Sequence, residues 1–169
     1  MEQKHNVFFS YTHGFESSVA NIAEFLERKN ITCWYAPRNL DNGADYNNSV
    51  DSAIDSTDIV VVLLCDEALQ SDWVKREITQ AEDNRKVIIP FVMSELTIYN
   101  GLRMRLMDKH WIFAYPDIEK HFDVLEQDIR AALDQSHHLK SNFKADNTRE
   151  KIQSIRQKCH FHEEESRNR

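Results

Sequence analysis

Glycine, proline and cysteine each occur only three times in the 169 residues. No apolar run reaches the roughly 18 residues that a membrane-spanning helix needs, so no membrane segment is expected. The opening MEQKHN is not followed by the apolar stretch of a secretory leader, and none is read. Positive charge is in short supply, with 21 Lys and Arg against 28 Asp and Glu and a net charge of -7. That balance lacks the positive field on which broad nucleic-acid or anionic-membrane binding depends. Three cysteines, Cys33, Cys65 and Cys159, make an odd number. Two of them lie in apolar strand-like runs, so free thiols in a reducing cytoplasm are expected rather than a disulfide framework. No His or Asn pattern ties either core thiol to nucleophilic catalysis. No internal repeat is visible.

What the chain does contain is an ordinary globular composition, 41% hydrophobic and 29% charged. At this length it forms one domain that can bury its own core, with room for an appendage. Short apolar runs alternate with helical patterns. Val7–Tyr11, Ile31–Tyr35, Ile59–Cys65, Val87–Val92 and Trp111–Tyr115 read as strands, being β-branched or aromatic. Ile59–Cys65 is apolar throughout, as a strand covered on both faces would be. The internal Pro90 places its strand near the sheet edge or marks a strand end. Helical spacing appears over Phe15–Lys29, Tyr46–Ser56, 71–82 and Ile118–Leu133; 94–109 carries no clear period. The βαβ alternation predicts an α/β, flavodoxin-like fold: about five parallel strands in order 2-1-3-4-5 with helices on both faces. In that order the ligand crevice opens at the carboxyl ends of strands one and three, here Ser10–Gly14 and Cys65–Glu67.

The division is expected at residue 135, with a domain over 1–135 and a polar extension over 136–169. Within the extension a helix over Lys144–Lys158 would turn Ile152 and Ile155 inward. Cys159-His160-Phe161-His162, with His137 and His138 upstream, has zinc-ligand residue types but no second matched pair. It is read as a polar tail, and no metal is expected.

Three stretches border the crevice. In SDWVKREITQAE (71–82), Trp73 and Glu77 are one turn apart on a helix, beside an apolar stripe of Val74, Ile78 and Ala81. Glu77 is either a surface acid paired with Lys75, Arg76 or Arg85, or a carboxylate facing the crevice. In WYAPRNLDNGADY (34–46), a connection bent by Pro37 and Gly43 is long for a βα loop. Such loops carry binding, and Arg38 is placed for a phosphate or a partner's acid. Asp41, Asp45 and Asp66 are further acids nearby. In SYTHG (10–14), hydroxyls precede a helix and can meet a phosphate or ribose, but one glycine makes neither a dinucleotide fingerprint nor a P-loop.

Taken in order, FFSYTHG, CWYAPRNLDNGADY and IVVVLLCDEALQSDWVKREI resemble the Toll/interleukin receptor (TIR) domain over about residues 5–135. The stretch is most similar to the bacterial stand-alone branch of antiphage defence, the Thoeris type. The resemblance implies cleavage of NAD+ as substrate, with Glu77 as the catalytic acid inside an S-x-W-x-x-x-E pattern formed by Ser71, Trp73 and Glu77. It also implies substrate contacts from Ser10, Tyr11, Thr12, Trp34, Arg38, Tyr46 and Trp73. The loop 36–46 corresponds to the family's BB loop, through which copies self-associate. A cytoplasmic enzyme is implied, without a bound cofactor, whose ADP-ribose-derived product signals to a separate effector protein. Asn39 stands where many members carry an acid, and the acid after strand one, Glu16, comes slightly late.

Two other classes share features with this reading. A receiver domain has the same strand order, but would end strand one in acids and place a Lys after the last strand. Here those ends read Phe9-Ser10-Tyr11 and Ala114-Tyr115-Pro116. A non-enzymatic TIR adaptor, acting through the BB loop, is the closer alternative.

Overall fold

The computed structural model describes residues 4–40 and 45–136. Five parallel strands, β1 (Val7–Ser10), β2 (Cys33–Trp34), β3 (Ile59–Leu64), β4 (Val87–Val92) and β5 (Ile112–Phe113), lie in the order β2-β1-β3-β4-β5. The connecting helices are α1 (Glu16–Glu27), α2 (Tyr46–Ser56), α3 (Asp66–Gln70), α4 (Asp72–Asp83) and α5 (Gly101–Arg105). A 3-10 turn, Ile118–His121, follows β5, and residues 122–133 are helical. A compact unit closes at Leu133. The polar extension expected over 136–169, its possible helix and its Cys-His motif lie outside the described residues, apart from 136 itself.

Period-two alternation along the strands separates two cores. Val7, Phe9, Ile59, Val61 and Leu63 pack with Val19, Ile22 and Leu26 of α1 and with Leu125 and Ile129. Phe8, Val60, Val62 and Leu64 face the other way, onto Val50 and Ile54 of α2, Leu69 of α3 and Val74 and Ile78 of α4. A sheet covered on both faces needs apolar residues at every strand position, and all six residues of β3 are buried.

Pro90 lies inside β4, opposite Val62, in the strand next to the sheet edge, as its type led one to expect. The register explains how it is tolerated. Met93 N–H donates to Leu64 O. Residues an even number apart face the same neighbour, so Pro90, three residues away, faces the β5 side. Pairing on that side begins only at Phe91↔Ile112, so no ladder bond is lost. The short α3 was not foreseen, because its five residues are too few to show a period. Residues 94–100 gain their place from Asp66, whose carboxylate accepts from the backbone N–H of Thr97 (2.9 Å) and Ile98 (3.1 Å) and from the Thr97 hydroxyl.

The helix that matters most for the site is α4. Its apolar stripe is short, but Ser71 caps it, the hydroxyl accepting from Val74 N–H at 3.3 Å. Replacing such a cap by alanine typically costs about 1 kcal/mol. Ser71→Ala is therefore expected to lower unfolding stability by about that amount in urea titration, with an unchanged m-value.

Candidate active site

Strand parity and helix phase bring the site together. Ser10 shares the parity of Phe8 and so points to the face on which α4 packs. On α4, Glu77 stands one turn after Trp73, on the stripe that also carries Val74, Ile78 and Ala81. The result is a carboxylate only 5% exposed. It accepts one hydrogen bond on each oxygen, from the Ser10 hydroxyl (2.5 Å) and from Trp73 Nε1–H (2.6 Å). The cations offered by sequence as surface partners are engaged elsewhere: Lys75 with Asp72 and Arg76 with Asp51. Arg85, also offered, is a backbone left-handed position after α4.

Burial pushes the Glu77 carboxyl up from its ordinary value to about 7, against the opposing effect of its two hydrogen bonds and of Arg76. The group is thus poised between acid and carboxylate at neutral pH, which is where a catalytic carboxyl is useful and a structural one is unusual.

Above the carboxylate lies a cavity of about 730 Å³ at the carboxyl ends of β1 and β3. Its walls are aromatic: Tyr11, Trp34, Tyr46 and Trp73. Trp34 sits opposite Phe8 in the ladder and stacks on it at 5.0 Å between ring centroids. Tyr46, the first residue of α2, packs against Trp73 at 5.1 Å. The Tyr11 hydroxyl donates to the carbonyl of Ala36 and so ties β1 to the start of the loop. Burial, followed by the nearby Glu16, pushes that phenol up to about 12, so it remains a donor. Thr12 lines the cavity with its hydroxyl 3.7 Å from Cys65 Sγ. Cys33 and Cys65 are buried free thiols. Burial raises both, which keeps them protonated and unreactive.

Of the residues singled out in the sequence, Tyr11, Thr12, Trp34, Tyr46, Trp73 and Glu77 surround this cavity, and Ser10 holds Glu77 from beneath. Arg38 does not join them. Its guanidinium forms a two-pronged pair with Glu27 (3.0 and 2.7 Å), donates to the Cys33 carbonyl and lies 4.3 Å from the centre of the Tyr35 ring. It fastens β2 to α1 and does not line the cavity, where a phosphate or partner contact was expected of it. Asp45 is engaged as the α2 cap, accepting from Asn47 and Asn48 N–H, and Asp66 in holding Thr97. Asp41 lies outside the described residues. His13, Pro37 and Glu67 also line the cavity; each lies inside a stretch that the sequence placed at the crevice, but none was named as a contact, since short turns have no periodicity that sets a side chain on the crevice side. Among the described residues, no His, Cys, Asp or Glu group is gathered as a metal site, and no helix is long and apolar enough to cross a membrane.

The raised carboxyl has a thermodynamic sign. Folded Glu77 holds its proton up to about pH 7, whereas the unfolded residue loses it near 4.5. Its burial is therefore without penalty below 4.5, and stability falls as pH rises from there through 7. A difference of this size corresponds to roughly 3 kcal/mol. Glu77→Gln, which keeps an acceptor for Trp73 and a donor for Ser10, is expected to be more stable than the parent at pH 8 by up to that amount. The advantage should disappear near pH 4.5 in denaturant titrations of both proteins.

The family model for the TIR domain matches residues 7–126. Protein y4lF of Sinorhizobium fredii is 22% identical over 139 residues, covering 75% of this chain and 43% of that protein. The chain thus spans less than half the length of this curated relative. Among solved structures, the TIR domain of the Toll-related receptor TRR-2 from Hydra magnipapillata is similar with a TM-score of 0.61 and 20% identity, covering 75% of this chain and 98% of that one. The RPS4 and RRS1 TIR domain heterodimer is similar with a TM-score of 0.57 and 13% identity, over 77% and 98%. The CMP N-glycosidase BcmB of Clostridium botulinum is similar with a TM-score of 0.53 and 17% identity, over 72% and 99%. These likenesses carry the fold, and the family model spans most of the chain with the strand order and crevice already described. On that ground the chain belongs to the TIR domain family.

Proposed function

We propose that this TIR domain is an enzyme that cleaves the nicotinamide–ribose bond of NAD+. The observation that carries the proposal is a single buried carboxylate, Glu77, held by two donors at the floor of an aromatic-walled cavity. Nicotinamide in NAD+ is a pyridinium, so the bond from ribose C1′ to its nitrogen breaks with the electron pair going to the ring. The leaving group departs neutral and needs no proton. Positive charge then develops on the ribose, and a carboxylate preorganised in a low-dielectric site stabilises it. Ordinary glycosidases need a second carboxyl to protonate a leaving oxygen; here one suffices in kind. Water attacking C1′ gives ADP-ribose and a proton, while an internal or second nucleophile gives a cyclic or conjugated product.

Ser10 and Trp73 act on the carboxylate, fixing its plane and favouring its charged form. Tyr11, Thr12, Trp34 and Tyr46 are the further substrate contacts in this reading. The likeness to BcmB, named as a CMP N-glycosidase, is consistent with N-glycosidic chemistry on this fold but supplies no residue roles. The biological setting proposed is antiphage defence of the Thoeris kind, in the cytoplasm, with the nucleotide product read by a separate effector.

Self-association through the loop 36–46 belongs to the same proposal. The RPS4–RRS1 structure is a TIR heterodimer, and the described ends of this loop, Ala36, Pro37 and Tyr46, line the cavity. The alternative is an adaptor that works by TIR–TIR contact alone. The exposed Tyr99, Met104, Met107, Phe113 and Tyr115 favour docking at the β5 side under either reading. Arg38→Glu is not a clean probe of assembly, since it would set a carboxylate against Glu27 within the fold.

Three outcomes are expected. Glu77→Gln should lower NAD+ turnover by about 10²–10³-fold while remaining folded; equal turnover, measured by nicotinamide release, would leave the adaptor reading. Because the charged form is the active one, kcat/KM should fall about tenfold per pH unit below about pH 7 and level off above it. If a neighbouring copy completes the site, activity per molecule should rise with protein concentration; a constant specific activity in a species that light scattering shows to be monomeric would remove assembly and leave the chemistry of Glu77 untouched.

A further inference from the structure

The carboxyl edge of a parallel sheet is where helix N-termini converge, and it is ordinarily an anion-binding place, since free N–H groups and helix dipoles point into it. In this chain four of those ends, at α1 to α4, carry acids of their own, while α5 is capped by Asn100. At α1, Glu16 in the first turn folds back so that its carboxylate accepts from Gly14 N–H at 2.8 Å and meets His13 Nδ1 at 3.1 Å. The left-handed φ of Gly14, 96°, points that N–H toward it, a conformation that suits glycine. At α2 the Asp45 carboxylate caps the helix. The start of α3 is Asp66-Glu67, and Glu67 reaches the cavity. Asp72 follows the Ser71 cap at α4.

The cavity repeats this bias. Among the described residues that line it are three acids, Glu16, Glu67 and Glu77, and no Lys or Arg. Arg76 influences Glu77 from nearby but is held by both oxygens of Asp51 (3.1 and 3.0 Å), on a ring of Trp73 it already overlies at 5.4 Å. Arg38, as shown, is spent on Glu27. An enclosure with aromatic walls and carboxylates, with no Lys or Arg among its described lining residues and its one basic ring, His13, engaged by Glu16, matches one kind of guest: a flat organic cation, attracted by ring faces and by negative charge together. It is ill matched to a diphosphate.

Resting on the reading of this cavity as the active site, we infer that a single chain recognises only the N-ribosyl-pyridinium half of its substrate, through its positive charge. The phosphates stay outside, against a counter-charge that the described residues lining this cavity do not contain. The substrate class of one chain is therefore the pyridinium riboside. Nicotinamide riboside, which carries the cation and no phosphate, is as good a ligand as its 5′-phosphate or better. A neutral base, such as the cytosine of CMP, is a poor one.

The test uses the full chain, four binding probes and NAD+ itself. The uncleavable cation 1-methylnicotinamide is titrated against neutral nicotinamide, following Trp34 and Trp73 by fluorescence. Cation recognition predicts binding about tenfold tighter for the former. Nicotinamide riboside and nicotinamide mononucleotide are then compared, by initial rates if they are turned over and by the same titration if they are not. The riboside should match or exceed the mononucleotide. In Glu16→Gln, which keeps an acceptor for Gly14 N–H but removes the charge from the α1 N-terminus, the ratio of mononucleotide to riboside should rise about twofold to fivefold.

Equal binding of the charged and neutral rings, a mononucleotide preferred tenfold or more over the riboside, or an unmoved ratio in Glu16→Gln would each overturn the inference. These outcomes are separate from the fate of the hydrolase reading. Selective binding of the cation without cleavage of any probe supports the inference and removes the hydrolase. Cleavage of NAD+ with no preference for the cation does the reverse.

Discussion

One desolvated carboxylate organises this molecule. Placing Glu77 in the interior raises the free energy of its charged form, and the fold answers with two donors and no ion pair. An ion pair would hold the group charged but quench it. Two neutral donors orient the oxygens while leaving the charge unmet, available to a positive guest. The rest of the local architecture follows from that choice. Ser10 must sit at the last residue of β1 with its parity toward α4, Trp73 one turn before Glu77, and the helix must begin at a firm cap so that both side chains keep their depth. A residue that lowers stability where the chain has no structural need for it is the pattern expected when function sets the position.

Much of this was legible in the amino-acid order, for a physical reason. Periods of two and 3.6 are imposed by backbone geometry, so the strand at 59–65, the helices at 15–29, 46–56 and 71–82, and the strand order could be read from where apolar residues recur. The nearness of Trp73 to Glu77 follows from helix pitch alone. Features set by contacts between distant segments were not legible. Arg38 looked available because nothing nearby in sequence neutralises it; its partner, Glu27, comes from the end of α1. The fixing of 94–100 by Asp66 spans about thirty residues and leaves no period. Pro90 did place its strand near the edge, but only the register shows that the donor it lacks would have faced a side where β5 had not yet begun. Glu67 and His13 lay in stretches placed at the crevice but were not named as contacts, since short turns carry no phase.

Charge and assembly meet at the same place. On the inference drawn above, a cavity with no Lys or Arg among its described lining residues would take a dinucleotide substrate only if the counter-charge arrives from elsewhere. A neighbouring copy brought against the loop 36–46 is one source, in keeping with the apolar residues left exposed near β5. Isolated copies would then be weak enzymes for a reason of electrostatics, quite apart from any closing of the site to water.

The seam between α2 and α4 has a further consequence. It is polar along its length: Arg76 to Asp51, Gln80 to the Asp51 carbonyl and to Asp55, Asn84 to Asp55, and Lys86 to the carbonyls of Asp55 and Thr57. These ties gather toward the C-terminal end of α2, while its other end begins at Tyr46 on the cavity rim. The helix is thus a beam clamped at its far end, with its near end bearing on Trp73. The loop that precedes it thus meets the cavity through Tyr46 and Trp73, whereas Ser10 is held from the other side by Glu77. Such a layout separates what must stay constant from what is free to diversify. Substitutions in the loop are therefore expected to reshape the rim while leaving the two hydrogen bonds that hold the acid intact.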